Sequence, residues 1–403
     1  MTTEITRILE GFKEFSETPY EDSIRFLKEY LEVEPDSEAF FELGKALFLN
    51  GDYDESIMYL KKADDIKSDA YLGLDHYKKK DYPNAIKCFE KFLKEKQNET
   101  VLNYLMLSYE QNRDWKNAVE CGEKLLEMNP DNRSVKIHMI DYHFNLREFE
   151  ISLSYLNELD DEKFRYKKGL ILFKIKRYEE AIDEVKNLKS IESYRLIAKS
   201  YEKLDKPSKA IRYLTKAYEK DQNIEILFEI SEITIKNRYC QRSIDVLEKI
   251  MVMEGEKEST LEKIARCYLE LQEFETAKIY CEKLLKINEN NFNAYLLLSE
   301  IYQYLDNDRC LEFVEKGLEI NPESADLWIQ KAWCQYPYDF EDFLKSYERA
   351  LKLEPNNIKN YTKLIWYCTF EDRMEDARRY YKKLLFYNPA FAESFEEVTK
   401  YAD

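Results

Sequence analysis

The chain has 403 residues, 44% of them hydrophobic and 35% charged, with only 8 Gly and 9 Pro. So few turn formers exclude a β-sandwich, a barrel or a nucleotide-binding α/β fold, each of which needs many tight turns. A net charge of −18 excludes the basic stripe that nucleic-acid phosphates require, and an aromatic fraction of 14% supplies enough apolar surface to argue against disorder.

The opening residues, MTTEITRILEGFKEF, carry a charge every few positions and lack the apolar core of a secretory leader. No later run is apolar over a membrane's width. The expected location is cytoplasmic, with no membrane contact. The eight Cys are scattered, and Cys88, Cys121, Cys267, Cys281 and Cys368 fall among apolar residues. They read as reduced, buried thiols.

The first pair of elements is clear at 37–66. Apolar Phe40, Phe41, Leu43, Leu47 and Phe48, then Tyr53, Ile57, Leu60, Ala63 and Ile66, both follow helical spacing. Asn50-Gly51-Asp52 supplies the turn between them. Small residues at Gly44 and Ser56 let the two helices approach, and Ala63 lets the next pair dock. The small residue of the second helix recurs along the chain as Ser23, Ser56, Ala85, Ala118, Ser152, Ala181, Ala210, Ser243, Ala277, Cys310, Phe343 and Ala377, in steps of 29, 33 or 34. Only Phe343 is large. Such a period means stacked helical pairs. Below, these residues are the anchors of their pairs.

The pattern resembles the tetratricopeptide repeat family. One copy is Phe40, Leu43-Gly44, Leu47, Tyr53, Ser56, Leu60 and Ala63; a second is Leu102, Leu105, Tyr109, Trp115, Ala118, Leu125 and Pro130. Two more run through Tyr194, Ile197-Ala198, Tyr201, Ala210, Leu214 and Ala217, and through Leu261, Ile264-Ala265, Tyr268, Phe274, Ala277 and Leu284. Gly11, Gly44, Gly73 and Gly169 take the small position of the first helix, and Pro35, Pro130, Pro322, Pro355 and Pro389 close second helices. The resemblance implies an all-α, right-handed superhelical solenoid of about twelve helical pairs over residues 1–390. The tail 391–403 reads as a C-terminal capping helix.

Three junctions are short: KKADDIKSDAY, LNELDDEKFRY and KNLKSIESYRL. The missing four or five residues are about one helical turn, so the second helices anchored at Ser56, Ser152 and Ala181 should end a turn early or connect more tightly. Gly255 reads as part of a loop between pairs, with a hinge as the alternative. At 336–340, Tyr-Pro-Tyr-Asp-Phe replaces the usual turn.

Nothing points to catalysis, a cofactor or a metal. There is no Gly-rich phosphate loop, GxSxG, HExxH or metal-spaced Cys cluster. His138 and His143 are five apart and do not share a helical face; His76, His138 and His143 all read as structural. Asp64-Asp65 and Asp160-Asp161 read as solvated or capping residues. The resemblance places first helices on a concave face along which a protein or peptide lies. Candidate contacts there are Phe12, Phe15, Phe41, Phe48, Tyr77, Phe144, Tyr166, Phe173, Phe228, Tyr304, Trp333, Trp366 and Phe370, with Arg195, Lys199 and Arg266 in a charged central zone. The carboxylate clamp found in some relatives is not matched: Leu296 and Glu300 stand where Lys and Asn are required. The reading is a non-catalytic scaffold or adaptor. The alternatives are an assembly or folding chaperone with several clients, or the non-catalytic arm of an enzyme complex. Self-association is open.

Overall fold

The computed structural model describes residues 20–387, and every regular element in that span is helical. Packing divides it into two units, one up to Lys189 and one from Ser190 onward. The first holds α1 (Tyr20–Val33), α2 (Ser37–Asn50), α3 (Tyr53–Leu60), α4 (Ile66–Lys78), α5 (Tyr82–Glu95), α6 (Glu99–Gln111), α7 (Trp115–Met128), α8 (Arg133–Asn145), α9 (Phe149–Leu159), α10 (Arg165–Lys174) and α11 (Tyr178–Val185). The second holds α12 (Ile191–Lys203), α13 (Pro207–Lys220), α14 (Ile224–Lys236), α15 (Cys240–Glu254), α16 (Glu258–Glu270), α17 (Phe274–Ile287), α18 (Phe292–Leu305), α19 (Asn307–Ile320), α20 (Ala325–Gln335), α21 (Phe340–Leu353), α22 (Ile358–Phe370) and α23 (Met374–Tyr387). Even-numbered helices are the first members of their pairs and odd-numbered helices the second. The fold is an α–α solenoid.

Within each unit a first helix packs on its own second helix, and that helix packs on the next first helix. The anchors explain the close approach. From Ser56 to Ala377 every one is buried, at 0–4% exposure, and Ser23 is half-buried. Where the anchor is Ser, its hydroxyl can reach the facing backbone: Ser56 Oγ donates to the Gly44 carbonyl at 2.8 Å and Ser152 Oγ to that of Ile140 at 2.7 Å. A Cβ on Gly44 would lie 2.5 Å from the Leu60 side chain. The large anchor, Phe343, is absorbed by an aromatic cluster with Tyr336, Phe340, Tyr347 and Trp333.

Most first helices start at a capping side chain. Asp36, Asp65, Asn98, Asn132, Ser190, Asn223, Asn291, Ser324 and Asn357 each accept from a backbone N–H in the first turn. The turn inside a pair is also uniform. Five residues before the anchor the chain enters the left-handed region, at Gly51, Lys80, Arg113, Arg147, Lys176, Asp205, Arg238, Gln272 and Asp372. The next N–H then closes a six-residue turn, as Asp52 does on Leu47 and Asp81 on His76. The low glycine count therefore hides a full set of glycine-like turns. The pairs anchored at Cys310 and Phe343 depart: Asp306 alone joins α18 to α19, and 336–339 join α20 to α21 without a left-handed residue.

The short junctions are short helices. α3 and α11 have 8 residues and α9 has 11, whereas the other second helices have 14 or 15. α9 and α11 are followed by left-handed residues at Asp160 and Lys189. Gly255 caps α15 with its N–H on the Met251 carbonyl at 2.8 Å, within the loop between pairs. Pro35, Pro130, Pro322 and Pro355 lie just past α1, α7, α19 and α21. Asp65 and Asp161 are caps, as the sequence suggests.

The reading of all eight Cys as free thiols is corrected. Cys310 on α19 and Cys334 on α20 form a disulfide across 24 residues, with Cα atoms 5.8 Å apart. The two lie far apart in sequence and meet because both face the interior of the same helical stack. The other six are free, and Cys88 alone among them is not fully buried. No helix among the described residues is long and apolar enough to cross a membrane. Gly11, Phe12, Phe15, Pro389 and the capping helix at 391–403 lie outside the described residues.

Candidate partner-binding surface

In the first unit the aromatic candidates mostly turn inward. Phe41 is 6% exposed and packs edge-on against Tyr71 at 5.7 Å, which corrects its reading as a groove contact. Phe48, Tyr77, Phe144 and Phe173 share one register, eight residues before their anchors. Each meets the aromatic three residues before the same anchor: Tyr53 at 6.0 Å, Tyr82 at 5.8 Å, Phe149 at 5.5 Å and Tyr178 at 5.4 Å. These pairs clasp the two helices of a hairpin, and all four first-helix rings are half-buried. Tyr166 stands at the surface of α10.

The three His are tied to carboxylates. His76 Nδ1 lies 2.9 Å from Asp81 and His143 Nδ1 2.6 Å from Glu148, each bracing the turn within its pair. His138 Nδ1 lies 2.8 Å from Glu110 Oε2, which also accepts from the Tyr142 hydroxyl at 2.6 Å. The bond to Glu110 raises the His138 pKa, and the bond to His138 lowers that of Glu110. Among the described residues no three His, Cys, Asp or Glu are placed to hold a metal.

In the second unit the charged zone is largely consumed by itself. Arg195 on α12 grips Glu229 on α14 with two donors, at 3.2 and 2.7 Å, and Lys199 lies 3.8 Å from the same carboxylate. Lys236 reaches back from α14 to Glu202 at 3.2 Å. On α16, Arg266 lies 3.9 Å from Glu262, which accepts from Asn293 of α18 at 3.4 Å. Glu300 faces the same region; burial raises its carboxyl and Arg266 opposes the rise. Arg195, Lys199 and Arg266 therefore join or brace neighbouring first helices. Sequence reasoning could not distinguish this from a stripe waiting for a partner.

Phe228 is half-buried in the apolar core around α14. Trp333 packs among Tyr336, Phe343, Tyr347 and Tyr367, the last at 4.6 Å, and belongs to the interior of the α20–α22 stack. Among the aromatic candidates of the second unit, two features remain open to solvent. Tyr304 is 69% exposed and stacks on Phe274 at 4.7 Å. On α22, Trp366 and Phe370 are 57% and 67% exposed and stack on each other at 5.4 Å, nearly parallel. Four residues apart, they sit one above the other on a single helix face. Tyr367 lies edge-on beneath Trp366 at 4.8 Å and links the pair to the buried cluster.

Family models described as "Tetratricopeptide repeat" match residues 20–71 and 259–291, and the model of "Anaphase-promoting complex, cyclosome, subunit 3" matches 111–188. Tetratricopeptide repeat protein 8 of Caenorhabditis elegans is 27% identical over 125 residues, covering 30% of this chain and 24% of its own. A TPR repeat-containing protein of Methanocaldococcus jannaschii is 23% identical over 275 residues, covering 60% of this chain and 48% of its own. The chain thus spans about a quarter and about half of these two relatives. A solved structure of Naa15/Naa10 bound to HypK-THB has 14% identity and a TM-score of 0.49, covering 99% of this chain and 78% of that one.

Proposed function

Because the chain belongs to the tetratricopeptide repeat superfamily, we propose that it is a non-catalytic scaffold or adaptor that holds a protein segment against its first helices, with Trp366 and Phe370 as the anchors. The exposed, stacked Trp366–Phe370 pair carries this reading. The two rings stack on each other but leave more than half of their surface in water in the free chain. Covering them on binding removes apolar area worth about 25 cal/mol per Å², and rigid aromatics are the usual centres of binding energy. Burial elsewhere argues for the same place: most of the other aromatic candidates are already spent on packing. We place the chain in the cytoplasm on the strength of its six free thiols, against which the Cys310–Cys334 bridge is the opposing observation.

The test is affinity capture from cells with three baits: wild type, Trp366→Ala/Phe370→Ala and Arg195→Ala/Lys199→Ala. A single dominant partner that is lost only with the aromatic variant, at unchanged helicity, supports the reading. An identical partner set with all three baits removes the aromatic pair from the site. Many weakly held clients would favour a chaperone instead.

A further inference from the structure

The second unit carries another recess, on the side of the second helices. α13 and α15 form its walls and α14 its floor, enclosing about 620 Å³. Leu227, Ile230 and Thr234 of α14 form the floor, and Ile211 of α13 and Val246 of α15 extend its mainly apolar surface up the walls. The walls carry Arg212 and Lys216 from α13 and Arg242 and Lys249 from α15, against two carboxylates, Glu219 and Asp245.

Three observations set this recess apart. First, its charge is inverted relative to a chain of net charge −18. The equivalent recess between α5 and α7 holds Lys94 and Lys124 against Glu90, Glu120 and Glu127. That between α9 and α11 holds six carboxylates against Arg165, Lys168 and Arg177. Second, the cations of the α9–α11 recess are already matched, Arg177 to Glu180 at 2.5 Å and Lys168 to Glu184 at 3.5 Å, while those of the α5–α7 recess are outnumbered by carboxylates. Arg212, Arg242 and Lys249 make no ion pair with any described carboxylate, and Lys216 instead faces the ring of Tyr213 at 4.7 Å. Third, Asp245 accepts from the neutral amide of Gln241 at 3.3 Å and, like Glu219, forms no ion pair with the wall cations among the described residues.

We propose that the α13–α15 recess docks an acidic amphipathic helix of a partner protein, apolar side down on α14, with its carboxylates between the Arg212/Lys216 and Arg242/Lys249 walls. The walls are helices of 14 and 15 residues, about 21 Å long, so a helix of about four turns can lie along them. An apolar face on the floor with charged flanks is the helix-in-groove mode. The charge pairing speeds encounter and selects acidic partners over basic ones. A nucleic acid or an anionic bilayer fits less well. Both would leave the apolar floor unmatched.

The experiment pans a library of random 15-residue peptides on the full chain and on its Arg212→Glu/Arg242→Glu variant, with Trp366→Ala/Phe370→Ala as a third target. Both arginines are exposed, so the charge reversal leaves the core intact, and circular dichroism checks this. The expected result is a peptide class enriched on wild type and on the aromatic variant but lost on the charge-reversed one. Those peptides carry net negative charge and apolar residues at i, i+3, i+4 and i+7, and bind the charge-reversed variant at least tenfold more weakly by fluorescence anisotropy. Enrichment of neutral or basic peptides, or equal enrichment on wild type and charge-reversed targets, overturns the proposal. So does binding to phosphatidylserine vesicles or single-stranded DNA that Arg212→Glu/Arg242→Glu abolishes while no acidic peptide is retained.

Discussion

Replacing Asp75 with Asn should stabilise the first unit relative to wild type at pH 8 and should not do so at pH 4. Asp75 is fully buried on α4, and its Oδ2 lies 2.7 Å from Ser56 Oγ. Ser56 has one proton, and it sits 2.8 Å from the Gly44 carbonyl, which can only accept. Ser56 can give that proton to the Asp75 carboxylate or to the Gly44 carbonyl, not fully to both, so an ionised Asp75 is poorly compensated. Burial acts in the same direction and pushes the group from 3.8 to about 7, opposed by the Ser56 bond and by Lys79 and assisted by Asp54. The folded pKa is raised, so the unfolded state releases its proton first. The stability linked to this group is fully present below about 3.8 and falls as pH rises toward 7. At about 1.4 kcal/mol per decade, the fall is at most about 4 kcal/mol. Asn keeps the shape, and its amide donates to Ser56 without ever ionising. The second oxygen, Oδ1, has no partner in either case, so its cost cancels, while the second amide N–H adds a buried donor costing about 1–3 kcal/mol at every pH. Urea unfolding followed by circular dichroism at pH 4, 6 and 8 measures the difference. A variant that is no more stable than wild type at pH 8, or a wild type whose pH slope matches the variant's, would refute a neutral Asp75.

Iodoacetamide in denaturant should label six of the eight Cys before reduction and all eight after, counted by mass spectrometry. By the loop-entropy argument the 24-residue bridge contributes about 3.5 kcal/mol, so Cys310→Ala/Cys334→Ala should unfold at lower urea. Gly44→Ala should destabilise by about 1–3 kcal/mol, because its Cβ would meet Leu60; an unchanged urea midpoint would contradict the close approach. Arg113→Gly should stabilise by about 1 kcal/mol, since φ is 58° there. His138→Gln should remove a stabilisation that is present below pH 6.5 and lost as pH rises through the raised His138 value, read as the difference between wild-type and variant unfolding at pH 5.5 and pH 9.

The repeat was legible because its constraints are local and periodic. The anchors, the terminal prolines and the three short steps each report a distance along a helix, and the structure returned them as buried contacts, helix ends and helices of 8 or 11 residues. The left-handed turn residues were not legible. Lys80, Arg113 and Arg147 give no chemical sign of a backbone conformation that their neighbours impose. The Cys310–Cys334 bridge was hidden for a related reason: the two residues come from different helices and meet only through packing. The charged zone failed differently. Arg195 and Glu229 are 34 residues apart, one repeat, so the repeat itself brings opposite charges together whenever successive first helices carry them.

The aromatic candidates separate once each is counted from its anchor. Phe48, Tyr77, Phe144 and Phe173 stand eight residues before theirs, where a hairpin needs a ring to clasp. In the second unit the residues eleven before the anchors Ala210, Ser243, Ala277 and Ala377 are Lys199, Glu232, Arg266 and Trp366, and all four are exposed. Those seven before the same anchors are Lys203, Lys236, Glu270 and Phe370, also exposed. In these four pairs the register faces solvent, whereas the residues eleven before Cys310 and Phe343 are the buried Ser299 and Ala332. Charged residues fill it three times out of four. Where it holds Trp366 and Phe370 instead, the choice of residue is free of the demands of the fold, and the cost of exposing two rings falls on the free chain alone. On the proposed function, a partner that covers both rings recovers that cost at this register.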